Sequence, residues 1–414
     1  MTQAERSLRI AVLCPHFAPD TAPTGDVMTR IVHELAALGH ELHVVTALPW
    51  YREHRIEPGW EGKLWRRERT DWGWITRVHP FPGDDKRNLM RRALGFAGFS
   101  VLAGVASLRG GRVDAVIAMS PPLTLGLTGW GTHLFRRGPL VFNIQDVFPD
   151  AAVETGAITN EKIIAVARWL ERVSYHRAAA VTVLSDDLRE NVAAKVKPSR
   201  RSKVHVIPNF VDTEFIAPSD RLTPFRAELG IGDEPVVLYA GNVGFSQSLE
   251  MVVEAARRFP EVTFLVNGDG AARTTLQEQA HDLPNVRFSG YQPKARVPEV
   301  LATGDIHLVP LKRGLGRVSV PSKTYSILAA GRPVLAAIDP GTEVPRMLEA
   351  SGGGVCVPPD DLEAFCAALR GLLDDRSAAS AMGTAGRAWV TGAASPAAVA
   401  VAYERLIRSL GRGR

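Results

Sequence analysis

Cysteine is scarce in this chain: three residues in 414, Cys14, Cys356 and Cys366, odd in number and far apart. That excludes a disulfide framework and a cysteine metal cluster, and it fits a reducing cytoplasm. Long hydrophobic runs are missing too. The longest weakly polar stretch, residues 93–108, is shorter than the roughly 20 residues a spanning helix needs. Residues 1–7 are polar and the apolar run 8–14 ends at Pro15, which does not read as a secretory signal. There is no helix-turn-helix, zinc-finger or RNA-binding signature, so the formal charge of +5 points away from nucleic acid. An anionic membrane surface or an anionic substrate remains. His33, His40 and His43 belong to no ligand constellation, and no paired-carboxylate pattern of a glycosidase is evident.

What is present is an ordinary globular composition, 45% hydrophobic and 22% charged, in a chain long enough for two domains. Residues 8–14 predict a buried strand, and Val27, Ile31, Leu35 and Leu38 fall on one face of a helix ended by Gly39. Strands follow at 41–47, 113–119, 140–144 and 179–185, with helices at 161–175 and 186–195. A second round runs from the strand at 236–240 through the helix at 249–258, strands at 262–266 and 286–289, a helix at 297–302 and a strand from Ile306. Strands alternating with helices on each side of position 208 predict two doubly wound parallel-sheet domains of α/β class. We place the first at 1–207, the second at 208–390 and a terminal segment at 391–414, whose residues 395–410 form an amphipathic helix.

Two stretches interrupt this order. Between Pro49 and Pro82 the periodicity fails, and Trp50, Trp60, Trp65, Trp72 and Trp74 stand among arginines and lysines. Residues 86–108 then add a basic head and an apolar helix. Tryptophan and arginine beside an apolar helix suit a membrane interface; a core helix preceded by a decorated loop is the competing reading. The other stretch is D-I-H-L-V-P-L-K-R-G-L-G-R-V-S-V-P-S-K-T-Y-S-I-L-A-A-G-R-P-V, residues 305–334. A strand enters a Gly- and Arg-rich loop, and Pro321 and Ser322 open and cap a short helix that stops at Gly331. Backbone N–H groups left over at a helix start, with Arg317 and Lys323 beside them, make a site for a diphosphate.

The wording P-S-K-T-Y-S-I-L-A-A-G-R-P-V resembles the donor segment of group-4 retaining glycosyltransferases of the GT-B fold, especially those of O-antigen and capsule assembly such as the colanic-acid and L-fucosamine transferases. V-H-V-I-P-N-F-V-D (204–212) is similar to the family's I-P-N-G-V-D linker, where Asn209 and Asp212 fix the crossover between domains. The resemblance implies two Rossmann-like domains facing a cleft, with the terminal helix returning to the first. It implies a nucleotide diphosphate sugar donor, UDP-linked by preference, and a saccharide or lipid-linked saccharide acceptor of a surface polysaccharide. It needs no cofactor and no metal, since Asp84-Asp85 and Asp360-Asp361 lack the spacing to hold a metal on a diphosphate. The expected location is the cytoplasm, at the inner face of the cell membrane if the tryptophan-rich stretch touches anionic lipid.

Residue by residue, the resemblance puts Gly25 in a loop facing the donor phosphates and the acceptor across the cleft. It makes Asp146 of Q-D-V-F-P-D the group that orients or deprotonates the acceptor hydroxyl, although an Asp there also suits a simple turn cap. The base would lie on Gly290 and Tyr291. Gly241, Asn242, Gly244 and Gln247, with Ser322 and Lys323, would hold the phosphates, and Gly268, Pro310 and Ser326 complete the donor wall. Arg317, Lys323 and the Gly244 N–H would stabilise the departing phosphate. Two departures stand out. The family's paired glutamates are replaced by Val318 and Ser326, and the arginine and lysine of its first phosphate loop by Asn242 and, approximately, Gln247. A sugar-nucleotide epimerase of the same fold and a non-catalytic nucleotide-sugar binder therefore stay open. His16, at the end of the first strand, is either a catalytic group or an ordinary hydrogen-bonded loop histidine.

Overall fold

A computed structural model describes residues 6–20, 22–51, 55–82, 89–145, 147, 149–150, 160–316 and 320–411. Two compact units emerge: residues 1–209 with 399–414, and residues 210–398.

The first unit is built on eight strands: β1 (Arg9–Leu13), β2 (Glu41–Ala47), β3 (Trp65–Thr70), β4 (Gly73–Val78), β5 (Ala115–Ser120), β6 (Leu140–Ile144), β7 (Ala180–Val183) and β8 (Val204–Val206). Their order across the sheet is β3-β4-β2-β1-β5-β6-β7-β8. All pairs are parallel except β3 with β4. The central strands are mostly apolar along their whole length because both faces are covered.

The β3–β4 hairpin is where sequence reading fails. W-R-R-E-R-T shows no apolar alternation because it forms the charged edge of the sheet, where charge discourages pairing with another chain. The tryptophans here are used internally: Arg67 lies 3.9 Å from the Trp74 ring centroid, Arg66 4.5 Å from Trp60, and Arg109 3.9 Å from Trp65. Such cation–π stacks order the aromatic and basic rim that the sequence offers to a membrane.

The helix Leu89–Ser107 resolves its two readings by face. Phe99, Ala103 and Ala106 are buried in the sheet core, while Leu94, Val101 and Val105 are exposed. Its basic head at 86–88 lies outside the described residues. The next two helices pack beside it in turn, Thr124–Arg136 and Glu161–Arg177. They expose Leu134, Phe135, Ile163, Val166 and Trp169. Among the described residues no helix is long and apolar enough to cross a membrane.

The terminal helix Pro396–Gly411 contributes its residues from Val399 onward to this unit. Tyr403 is fully buried and its hydroxyl accepts from Asn143 Nδ2 at 2.7 Å.

The second unit has six parallel strands: β9 (Val236–Ala240), β10 (Thr263–Asn267), β11 (Val286–Ser289), β12 (Ile306–Pro310), β13 (Val334–Ala337) and β14 (Gly354–Val357). Their order is β11-β10-β9-β12-β13-β14. One face is filled from the helices Leu249–Arg258 and Leu362–Asp374, the other from Lys323–Ala329 and Glu343–Ser351. Among the parallel strands of each sheet the order reverses once, between β1 and β5 and between β9 and β12. Ligands of open α/β sheets lie beyond the carboxyl ends of the strands at such a reversal.

Candidate active site

At the β9/β12 reversal, Lys323 reaches back from the helix that follows β12 to the residues that follow β9. Its Nζ lies 3.7 Å from the centroid of the Tyr239 ring. Gly241 leaves the room: a Cβ there would lie 2.8 Å from that nitrogen, and φ is +142°. The Gly241 carbonyl in turn presses on Gly268, whose φ is +145°, so neither position takes a larger residue. Among the described residues Lys323 has no carboxylate partner. Burial alone pushes its ammonium down to about 7. Tyr239 escaped sequence reading because V-V-L-Y-A passes as a plain buried strand.

The loops around this lysine are tied down from within. The Gly244 N–H donates to Gln247 Oε1 at 2.9 Å, and the Val243 N–H donates to the Asp269 carbonyl. The expected phosphate contact of the Gly244 N–H is thereby already engaged, with Gln247 as its partner. The Gly-rich loop after β12 is pinned likewise. Asp339 Oδ2 accepts from the Gly314 and Gly316 N–H groups at 2.8 and 3.0 Å, and Asp360 Oδ2 from Arg313 N–H at 3.1 Å. The expectation of unengaged N–H groups therefore narrows to the helix start, because the carboxylates of Asp339 and Asp360 satisfy the loop. Ser322 is helical and its side chain makes no cap, correcting that reading; its N–H and that of Lys323 have no partner among the described residues. Arg317 lies outside the described residues, as do Val318 and Asp146.

Further along the same edge, Asn267 Nδ2 donates to the Gly290 carbonyl at 2.8 Å, and Arg273 donates to the Gly268 and Ser289 carbonyls. Tyr291 is 61% exposed, with its hydroxyl donating to the Asp269 carbonyl. Asn242 is exposed, Ser326 half-buried and Pro310 buried at the end of β12. The structure thus gathers Gly241, Asn242, Gly244, Gln247, Gly268, Gly290, Tyr291, Pro310, Ser322, Lys323 and Ser326 at or beside the strand ends of one unit.

Gly25 departs from its expected setting. It lies in the first turn of the helix Pro23–Ala37, not in a loop, and a Cβ there would come 2.8 Å from the His16 Cβ. Its smallness is required by that contact. Asp212 Oδ1 accepts from the Glu214 and Phe215 N–H groups, capping the turn that opens the second unit. Among the described residues no three His, Cys, Asp or Glu side chains converge as metal ligands.

The sequence pattern of the Glycosyl transferase 4-like domain family matches residues 24–209, and that of Glycosyl transferases group 1 matches residues 234–375. The chain belongs to the GT-B glycosyltransferases. This glycosyltransferase is 28% identical over 383 residues to WcaI of Escherichia coli (strain K12), named for colanic acid biosynthesis, covering 88% of this chain and 92% of that one. It is 29% identical over 221 residues to the alpha-D-kanosaminyltransferase of Streptomyces kanamyceticus, covering 51% and 55%. The fold of the glycosyltransferase is also that of sucrose-phosphate synthase from Thermosynechococcus elongatus, with a TM-score of 0.72 at 18% identity over 99% of this chain and all of that one. HepE of Anabaena, solved with UDP, gives 0.67 at 14% identity over 97% of this chain and all of that one.

Proposed function

We propose that the enzyme transfers a sugar, with retention at the anomeric carbon, from a nucleotide diphosphate sugar to a lipid-linked saccharide in surface polysaccharide assembly. The observation that carries this reading is the half-buried Lys323, whose ammonium lies over Tyr239 at the β9/β12 reversal and lacks an anionic partner among the described residues. A partly desolvated cation without a counterion is costly, and a diphosphate supplies one. When the sugar leaves, negative charge grows on the phosphate oxygens, and a fixed cation there lowers the barrier. Arg317 and the N–H groups of Ser322 and Lys323 are the further donors of this reading. Asn242 takes the place of the family's loop arginine, Tyr291 offers its exposed face to the base, and Asp146 serves the acceptor. UDP is favoured by the HepE complexes, and a polysaccharide acceptor by the name of the E. coli relative.

A lipid-linked acceptor is supported by the exposed apolar side chains of three adjacent helices in the first unit. Leu94, Val101, Phe135, Val166 and Trp169 stand there beside the exposed cations Arg137, Arg168 and Arg172. Apolar surface ringed with arginine suits the headgroup region of an anionic bilayer, at the inner face of the cell membrane.

Incubation with UDP-, GDP- and dTDP-sugars and lipid-linked acceptors, scored by nucleotide release, tests the reading. Acceptor-dependent release from one donor supports it. Conversion of the free donor without acceptor indicates an epimerase, and binding without turnover a non-catalytic partner.

A further inference from the structure

At the other reversal, between β1 and β5, the chain leaving β1 carries a histidine held on every side. His16 Nδ1 lies 2.7 Å from Asp20 Oδ2, and the Asp20 side chain is wholly buried. The second oxygen of that carboxylate accepts from the Tyr51 N–H at 3.1 Å, which ties the loop after β1 to the loop after β2. The imidazole stacks on Trp50, with ring centroids 5.5 Å apart and planes at 26°, and meets Tyr51 edge-on at 5.3 Å. Beneath it the glycine at position 25 lets the helix Pro23–Ala37 come against its Cβ.

The loop itself is clamped. Arg77, buried on β4, donates to the Phe17 and Ala18 carbonyls, and the Ala18 N–H donates to Thr29 Oγ1 at 2.9 Å. The other deeply buried histidines are tied within their own surroundings. His40 Nδ1 accepts from the Leu8 N–H and its Nε2 lies 3.3 Å from Glu404 Oε1, His43 joins Thr76 and Arg136, and His307 Nε2 meets the Leu301 carbonyl. His16 alone of these stands beyond the carboxyl end of a strand at a sheet reversal, and its Nε2 has no partner among the described residues.

We propose that His16 Nε2 accepts a hydrogen bond from the attacking hydroxyl of the acceptor saccharide, with Asp20 fixing the ring and its tautomer. The inference rests on the transferase reading above and adds a residue to it. In the neutral imidazole a carboxylate on Nδ1 selects the tautomer with the proton on that nitrogen, so Nε2 presents its lone pair to an O–H. That suits a hydroxyl nucleophile, whose own lone pair must face the anomeric carbon. Trp50 and Tyr51 flank this point with amphipathic rings, matching a pyranose that has an apolar face and a polar rim.

The test compares the full-length wild type with His16→Gln and Asp20→Asn. The donor is the nucleotide sugar that the wild type turns over. The acceptors are octyl glycosides and an undecaprenyl-diphosphate-linked N-acetylglucosamine. Transfer should fall about 100-fold in His16→Gln through lost orientation, with kcat affected as well as the acceptor KM. Asp20→Asn should lower it about tenfold, and the double variant should be no worse than His16→Gln. UDP affinity should stay within about twofold of wild type, because it does not involve the nucleophile. Transfer at the wild-type rate in His16→Gln, or a parallel fall in UDP affinity, overturns the assignment.

A measurement on the wild type alone guards against misfolded variants. Carbethoxylation of His16 by diethyl pyrocarbonate, mapped by mass spectrometry, should be slowed by the acceptors and not by UDP. Donor turnover with His16 labelling unchanged by any of the acceptors refutes this inference alone. No turnover of any nucleotide sugar refutes the transferase reading beneath it.

Discussion

The ammonium of Lys323 lies over the ring of Tyr239, 3.7 Å from its centroid, in a space that exists because residue 241 is glycine. Strand β9 supplies the ring, and the helix that follows the adjoining strand β12 supplies the cation, at a reversal of the sheet order. The cation is therefore held in place before any ligand arrives.

Replacing Lys323 with alanine removes a charge-assisted hydrogen bond worth about 1.5–3 kcal/mol, so UDP should bind roughly 10- to 100-fold more weakly. Calorimetric titration of UDP checks this. Unchanged affinity in the variant would detach the lysine from the phosphates.

The same lysine sets a pH dependence. Burial brings its ammonium down from 10.5 to about 7. A diphosphate beside it favours the charged form, so affinity should be highest below pH 7 and fall as pH rises through that value. Binding at pH 8 should take up a proton, read from calorimetry in buffers of different ionisation enthalpy. Without ligand the sign for folding is opposite in origin. Between pH 7 and 10.5 the unfolded chain holds the proton more tightly, so this group makes stability rise with pH, and Lys323→Met should abolish that contribution.

Lys195 carries a structural ion pair in the first unit. Its Nζ donates to Asp150 at 2.6 Å and to the buried Glu171 at 2.7 Å. Lys195→Met leaves the Glu171 carboxylate without its cation and should cost about 3–5 kcal/mol at pH 7 in urea unfolding. Burial already raises the Glu171 carboxyl above its usual range, against the pull of Lys195. Its folded-state value therefore lies above the unfolded one, and loss of the lysine raises it further. The deficit should be smallest near pH 4, where the carboxyl is neutral in both states, and grow as pH rises.

Tyr403→Phe should destabilise the first unit by about 1–3 kcal/mol, because the Asn143 amide loses a buried acceptor. Chemical unfolding reads this directly. Donor affinity should be unchanged.

Phe135→Glu with Trp169→Glu tests the exposed apolar face. Each such side chain contributes about 1.5–3 kcal/mol when fully buried, so co-sedimentation with anionic liposomes should fall at least about tenfold. Added salt should weaken the wild-type association as well.

The two-sheet α/β fold was legible from the sequence because strands covered on both faces read as short, mostly apolar runs. Strand β2 at Glu41–Ala47 and the helix Leu249–Arg258 have the bounds that pattern gives. The hairpin β3–β4 was not legible, since an edge strand of arginines and tryptophans carries no burial signal. At the edge where β9 and β12 adjoin, P-S-K-T-Y-S marked the lysine, but nothing local marked what lies under it. Tyr239, Asp339 and Asp360 act across 84, 25 and 47 positions of sequence, on Lys323, Gly314 and Arg313. Gly25 was noticed as a glycine and misread as part of a loop, because the neighbour that demands it, His16, is visible only once the chain is folded.

The most direct measurement is a crystal of the full chain soaked in turn with UDP and GDP. The account predicts diphosphate density beyond the carboxyl ends of β9 and β12, with an oxygen within hydrogen-bond distance of Lys323 Nζ. Density for the nucleotide at any other place, with Lys323 still covering Tyr239 alone, would contradict it.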